Sequence, residues 1–129
     1  SIKDFVVLDG TYTNAADNYK GILVNVKKNL IGFDTNNWRL SSKDCANYEL
    51  YQWSEDGFVQ IKEMDMEYCI NQYYTRGLYA GNRFYLVYQN QESYVIKSFA
   101  MNEDYREIDQ YQIKWENESY YGYAEVYVD

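Results

Sequence analysis

The residue types that usually carry covalent catalysis are scarce in this sequence. None of its 129 residues is a histidine. This excludes nucleophiles activated by histidine and every metal site that needs an imidazole from this chain. The two cysteines, Cys45 and Cys69, form no C-x-x-C pair and cannot complete a zinc site by themselves. Two free thiols and one disulfide both remain open, because sequence spacing does not determine geometry.

Carboxylates are the reactive groups that remain, with 20 aspartates and glutamates in the chain. An opposed pair could hydrolyse glycosides, but the glutamates stand in no recognisable motif, so a glycosidase is the least favoured function. Calcium takes about six to eight oxygen ligands, usually from a D-x-[DN]-x-[DN]-G loop. Residues 9–14 and 34–37 carry only part of that pattern. We therefore expect no catalytic residue, no metal site and no cofactor.

Aromatic side chains are the most abundant groups that could bind a ligand, with 17 tyrosines and 3 tryptophans. Tyr and Trp offer large, rigid contact areas at low entropic cost, so those in loops could stack on sugar rings or anchor a protein. The alternative is that they pack strands together. The candidate ligand-binding residues are Trp38, Tyr73, Tyr120 and Tyr121. Trp38 is the first to test because it lies in a polar loop.

The overall charge narrows the range of partners. A net charge of −8 repels nucleic-acid phosphates and anionic membrane surfaces. No apolar stretch approaches the ~20 residues that span a bilayer. The expected partners are therefore a protein or a cell-surface glycan, with no nucleic acid and no membrane insertion by this segment.

The elements that would position these groups are β-strands. Aromatic residues make up 19% of the chain and proline is absent, which favours long strands with complete hydrogen-bond ladders. Turn signals at Asn29, Asp56-Gly57 and Gly81-Asn82 join neighbouring apolar runs into hairpins. The predicted strands cover residues 20–26, 30–34, 48–54, 58–64, 74–80, 83–89, 93–101 and 105–113.

The strand pattern recurs along the chain. Residues 20–24 match residues 76–80 at a spacing of 56 (77 − 21), and Ile61 matches Ile108 at 47 (108 − 61). Tyr48 matches Tyr94 at 46 (94 − 48), and Trp53 matches Phe99. A four-stranded unit that repeats every ~40–50 residues has the period of propeller blades. The alternative is an eight-stranded β-sandwich with chance self-similarity.

Three sequence elements occur in an order that resembles a known family. They are KGILVNVKKNLIGF at 20–33, the Tyr48, Tyr51 and Gly57-Phe58 hairpin, and RGLYAGNRFYLV at 76–87. Over residues 20–113 the chain is similar to bacterial secreted proteins that carry a C-terminal β-propeller distantly related to WD repeats. Gly21 stands where that family usually has a larger residue, and residues after 113 have no clear counterpart. The resemblance implies a propeller, an extracytoplasmic location and no established catalysis.

Together these observations predict an all-β fragment of a β-propeller. We expect four-stranded antiparallel blades over residues 20–66 and 73–113, with flanking strands at 2–9 and 120–128. A closed propeller needs at least about four blades, so the exposed blade faces predict self-association or a longer native protein. The predicted function is a non-catalytic extracytoplasmic scaffold or interaction module, and the alternative is a carbohydrate-binding module that uses loop aromatics.

Overall fold

The strands form two four-stranded antiparallel sheets in the computed structural model, which describes residues 21–114. In each sheet the strands are hydrogen-bonded in chain order, as a meander. The first sheet contains β1 (Leu23–Asn25), β2 (Leu30–Asn36), β3 (Ala46–Ser54) and β4 (Gly57–Asp65). The second contains β5 (Arg76–Ala80), β6 (Arg83–Gln89), β7 (Ser93–Ala100) and β8 (Arg106–Lys114). The predicted all-β class and the two four-stranded units are confirmed, whereas the predicted flanking strands at 2–9 and 120–128 lie outside the described residues.

Residues that tolerate left-handed backbone angles form the tight turns. Asn29 has a φ of 54°, Gly57 of 109° and Gly81 of 59°, conformations that glycine and asparagine adopt most readily. The predicted hairpins at these positions are therefore present. Tyr74 and Met101, predicted as strand ends, lie instead in short 3-10 helices at Gln72–Tyr74 and Met101–Glu103. Within the part of the chain that is described, no helix has the length and apolar character needed to cross a membrane.

Each sheet contains a β-bulge in its last hairpin. The extra residue is Ile61 in β4 and Ile108 in β8, so the predicted correspondence of these two isoleucines agrees with the strand pairing. Aligning the bulges makes Leu50 equivalent to Ser98, a spacing of 48 (98 − 50). The sequence matches of Tyr48 with Tyr94 and of Trp53 with Phe99, at 46, are therefore two residues out of register. Hairpin loops of different lengths, 55–56 and 101–105, displace a match made on residue type alone.

One hydrophobic core lies between the two sheets. The Tyr48 ring packs on Phe84 with the ring centroids 5.8 Å apart, and β5 lies against β1 and β2. Full burial of one large apolar side chain contributes about 1.5–3 kcal/mol, so this interface supplies much of the driving force for folding. Its buried members come from both sheets: Leu30, Ala46, Tyr48, Leu50, Met64, Met66, Cys69, Phe84, Leu86, Tyr88, Val95, Phe99 and Tyr105.

The pairing registers show which face of each sheet turns toward this core. Gly32 pairs with Leu50 on the inward face of the first sheet, where a side chain at Gly32 would collide with Tyr48. The equivalent pair in the second sheet is Tyr85 with Ser98. That pair alternates with the core-facing residues of β6 and β7 and so faces away from the first sheet.

The other face of each sheet shows the same alternation, with equivalent residue pairs inward in one sheet and outward in the other. Phe84 pairs with Phe99 on the inward face of the second sheet, and their equivalents Ile31 and Tyr51 pair on the outward face of the first. Equivalent faces of the two sheets thus point in the same direction. The second sheet follows the first as a stacked copy and does not turn an identical face toward it.

Candidate functional site

Trp38 lies on the loop between β2 and β3, as predicted, and its side chain is 73% exposed. The guanidinium of Arg39 lies over the indole, 5.4 Å from the ring centroid. The loop is closed by a hydrogen bond from the Asn37 amide to the Cys45 carbonyl, at 2.7 Å. Trp38 is therefore held away from the core on a pinned loop, where a ligand could reach the indole.

Tyr73 lies in the 3-10 helix that precedes β5. Its ring is half exposed and makes an edge contact with Tyr74, with ring centroids 5.4 Å apart. The neighbouring Gln72 forms a hydrogen bond with Asn36 of β2. This contact brings the segments that carry Tyr73 and Trp38 to the same end of the two sheets. Tyr120 and Tyr121, the other predicted ligand-binding residues, lie outside the described residues.

A buried polar junction links the two sheets at that end. Gln72 Nε2 donates to Asp34 Oδ2 and to the Thr35 carbonyl, both at 3.0 Å. Asp34 is only 2% exposed. The burial of the Tyr48 hydroxyl, together with the nearby negative charge of Asp34, raises the pKa of Tyr48. Residues 34–37 match part of a calcium-loop pattern. In the structure, Asp34 Oδ2 and the Thr35 carbonyl oxygen accept hydrogen bonds from the Gln72 side-chain amide. No group of three or more Cys, Asp and Glu side chains in residues 21–114 could hold a metal ion.

The two cysteines are free thiols in the structure. Cys69 is buried in the core and Cys45 packs against it from the β2–β3 loop. The Tyr68 amide donates to the Lys43 carbonyl at 3.2 Å, which ties the two cysteine-bearing segments together. Burial raises the pKa of the Cys69 thiol from 9.0 to about 12. The sequence left open two free thiols or one disulfide, and in the structure both cysteines are free thiols.

A patch of aromatic and aliphatic side chains lies on the outward face of the first sheet. It consists of Ile31, Phe33, Tyr51 and Phe58, which line a shallow pocket of about 150 Å³. We call it the outer aromatic patch. Phe33 and Tyr51 stack with their planes 7° apart. The Tyr51 hydroxyl donates to Glu49 Oε1 at 2.7 Å, which fixes the ring in place.

An open cleft of about 420 Å³ lies at the opposite end of the molecule from Trp38, where the hairpin turns of both sheets meet. We call it the seam cleft. The first sheet contributes Lys27, Lys28, Asn29, Leu30, Gln52 and Ile61, and the second contributes Asn82, Met101, Asn102 and Tyr105. From the sequence, these positions were predicted only as turns and strands. The available signal was the Lys27-Lys28 pair, the longest basic run in an acidic chain.

Three comparisons with known proteins found no significant similarity to this chain. No protein-family model matches the sequence, and neither a curated protein nor a solved structure gives a significant match.

Proposed function

We propose that this chain is a non-catalytic scaffold of the β-propeller type, which acts outside the cytoplasm and binds further β-sheets through the outward faces of its own two sheets. The observation that carries the proposal is the stacking of equivalent faces in one direction. In a propeller every blade presents one face to the preceding blade and the opposite face to the next. A sandwich with two-fold symmetry would instead bring equivalent faces together.

The close approach of the first strands supports a radial arrangement. In a propeller the strands nearest the axis are the most crowded, and here β5 lies against β1 and β2. A Cβ at Gly32 would lie 2.7 Å from Leu50 Cδ2 and 2.8 Å from the Tyr48 hydroxyl. A Cβ at Gly77 would lie 2.7 Å from Tyr48 Cζ. Gly77 is therefore needed for β5 to approach the first sheet this closely, whereas Gly32 makes room for Tyr48 and Leu50 of its own sheet.

The internal interface indicates what the outer aromatic patch would bind. Ile31 and Tyr51 of the patch are the equivalents of Phe84 and Phe99, which pack on the first sheet. A suitable partner is therefore another antiparallel sheet whose face resembles the inward face of β2 and β3, where Gly32 and Leu50 lie beside the Tyr48 ring. The extracytoplasmic location comes from the family resemblance and is part of the same proposal.

Sedimentation velocity across a wide concentration range tests the stacking. The chain should form dimers or larger species, and Phe33→Glu should shift it toward the monomer because the new charge would be buried in the contact. Val26→Glu is the matched control, since Val26 is exposed in a turn outside the patch. Circular dichroism checks that both variants fold. A wild type that stays monomeric at every concentration would favour a self-contained sandwich.

A second candidate function, carbohydrate binding by loop aromatics, is favoured by the exposure of Trp38. On a glycan array, a signal that depends on stacking should disappear in Trp38→Ala. It should persist in Leu40→Ala, which removes a half-exposed side chain from the same loop. Absence of binding to every glycan, together with capture of a defined cell-envelope protein, would favour the scaffold.

A further inference from the structure

We infer that the seam cleft binds an acidic saccharide, a sugar chain that carries carboxylates. The inference concerns a site distinct from the outer aromatic patch and from Trp38. It goes beyond the scaffold function and does not depend on how further sheets stack.

The charge of the seam cleft is opposite to that of the chain as a whole. Lys27 and Lys28 line it, and none of the described lining residues is acidic, although the chain carries −8 overall. The ammonium of Lys28 lies 5.9 Å from the centroid of the Tyr79 ring, which holds the lysine over the second sheet. The acidic residues in the turns at the same end, Glu55, Asp56, Glu103 and Asp104, do not line the cleft, and both oxygens of Glu103 accept from Arg106 at 3.1 Å. The lysines therefore favour an anionic ligand.

The hydrogen-bonding groups of the cleft are suited to sugar hydroxyls. Asn29, Asn82 and Asn102 contribute side-chain amides, and none of the three has a side-chain hydrogen bond within residues 21–114. An amide offers both donors and an acceptor, as a hydroxyl-rich ligand requires. The pairing registers make Asn29 and Asn82 equivalent turn residues of the two sheets, and both line the cleft.

The floor of the cleft is apolar. Leu30 and Tyr105 are buried at 3% and 8% exposure, with Met101 and Ile61 half-buried beside them. Ile61 is the extra residue of the β4 bulge, and bulges commonly redirect a side chain next to a binding site. The C–H face of a sugar ring packs well on such a floor, while its edge hydroxyls and carboxylate reach the polar rim.

The two turns that form the rim are held by hydrogen bonds and need little ordering when a ligand binds. The Trp53 amide donates to the Asn29 carbonyl at 2.8 Å, and the Gln52 side chain donates to the Lys28 carbonyl at 3.3 Å. In the second sheet the Met101 amide donates to the Asn82 carbonyl at 2.9 Å. A rim fixed in advance lowers the entropic cost of binding.

Calorimetric titration of the 129-residue chain with tri-galacturonate tests the inference. We expect saturable binding that weakens as salt is raised, because ion pairs at an open site are screened. The double variant Lys27→Gln/Lys28→Gln should weaken it by about tenfold or more. Lys43→Gln, which removes an exposed lysine from the opposite loop, should leave affinity within about twofold. Asn82→Ala should weaken binding without removing its salt dependence.

Three results would overturn the inference. The first is no binding of tri-galacturonate at millimolar concentration by a chain with native circular dichroism. The second is binding that the lysine double variant leaves unchanged, or that Trp38→Ala abolishes, because either would place the ligand elsewhere. The third is equally tight binding of the neutral galactose trimer or of inorganic phosphate, which would remove the acidic or the saccharide part of the claim. Sedimentation tests the scaffold separately, so the two proposals can fail independently.

Discussion

The two faces that meet in the core differ in chemistry. The first sheet presents Gly32, Tyr48 and the buried carboxylate of Asp34, and Gln72 anchors that carboxylate by a hydrogen bond. The second sheet presents the aromatic rings of Phe84 and Phe99. On the same face it presents the buried Lys97, whose ammonium donates to the Asp65 carbonyl of the first sheet at 2.8 Å. Buried polar groups have few possible partners, so the hydrogen bonds of Gln72 with Asp34 and of Lys97 with Asp65 set where the second sheet must sit.

A second comparison involves equivalent positions. Phe84 and Phe99 are packed against a sheet, whereas their equivalents Ile31 and Tyr51 face outward, where no described strand covers them. The same positions of the repeat are thus seen once between the two sheets and once on a face that no strand within residues 21–114 covers, where Tyr51 is 5% exposed. Substitutions on the covered face and on the outward face therefore measure how much a neighbouring sheet adds to the free energy of unfolding.

The largest loss of stability is expected from Phe84→Ala. Phe84 is fully buried and contacts Tyr48, Phe99 and Tyr105, so its loss should lower the free energy of unfolding by about 3–5 kcal/mol. Phe33→Ala, the same change on the outer aromatic patch, should cost only about 1–2 kcal/mol in dilute solution. Urea unfolding followed by fluorescence measures both. Equal costs would mean that the patch is already covered.

The next effect concerns the contact between the sheets. In Gly77→Ala the added methyl group would lie 2.7 Å from Tyr48 Cζ and 2.8 Å from Phe84 Cζ, and overpacking of this kind costs about 1–3 kcal/mol. Gly81→Asn is the control, because nothing lies within 4 Å of its Cβ and asparagine tolerates its φ of 59°. Thermal unfolding should separate the two variants clearly. If Gly77→Ala were neutral, the sheets would not be in close contact at β5.

The two thiols provide a comparison that depends on pH. The folded-state pKa of Cys69 lies near 12 and its ordinary value is 9.0, so the folded state disfavours the thiolate. The contribution of this group to stability is complete below pH 9 and is lost as pH rises toward 12, by about 1.4 kcal/mol per pH unit. Stability curves at pH 8 and 10 should show the loss, and Cys69→Ala should reduce it. The native protein should also react with a thiol reagent at Cys45 before Cys69; the reverse order would mean that Cys69 is accessible.

The smallest effect is expected from Trp38→Ala. The indole is exposed and packs only on Arg39 among the contacts assigned to its ring, so stability should change by no more than about 0.5 kcal/mol. Differential scanning calorimetry measures this directly. A loss of 2 kcal/mol or more would show that the indole contributes to the core, and a ligand could then not reach it freely.

Short-range patterns account for what could be predicted of the fold. Alternating apolar residues and turn residues such as Asn29 and Gly81 defined the eight strands to within a few residues, and Ile61 and Ile108 identified the repeat. The repeat match of Tyr48 with Tyr94 was out of register, because hairpin loops of different lengths change the pairing without changing the residue types. Trp38 was correctly placed in a loop, whereas its exposure of 73% is a result of the tertiary structure.

The sequence by itself determined the strand content, the order of the two sheets and the absence of histidine chemistry, because these depend on residue type and on neighbours a few positions away. Only the tertiary structure decided which face of each sheet is buried, that Gln72 reaches Asp34, and that Lys27 and Asn102 border one cleft. Those relations join residues far apart in the chain. They arise when the core closes around Tyr48 and Phe84, and no local pattern encodes where two distant turns will meet.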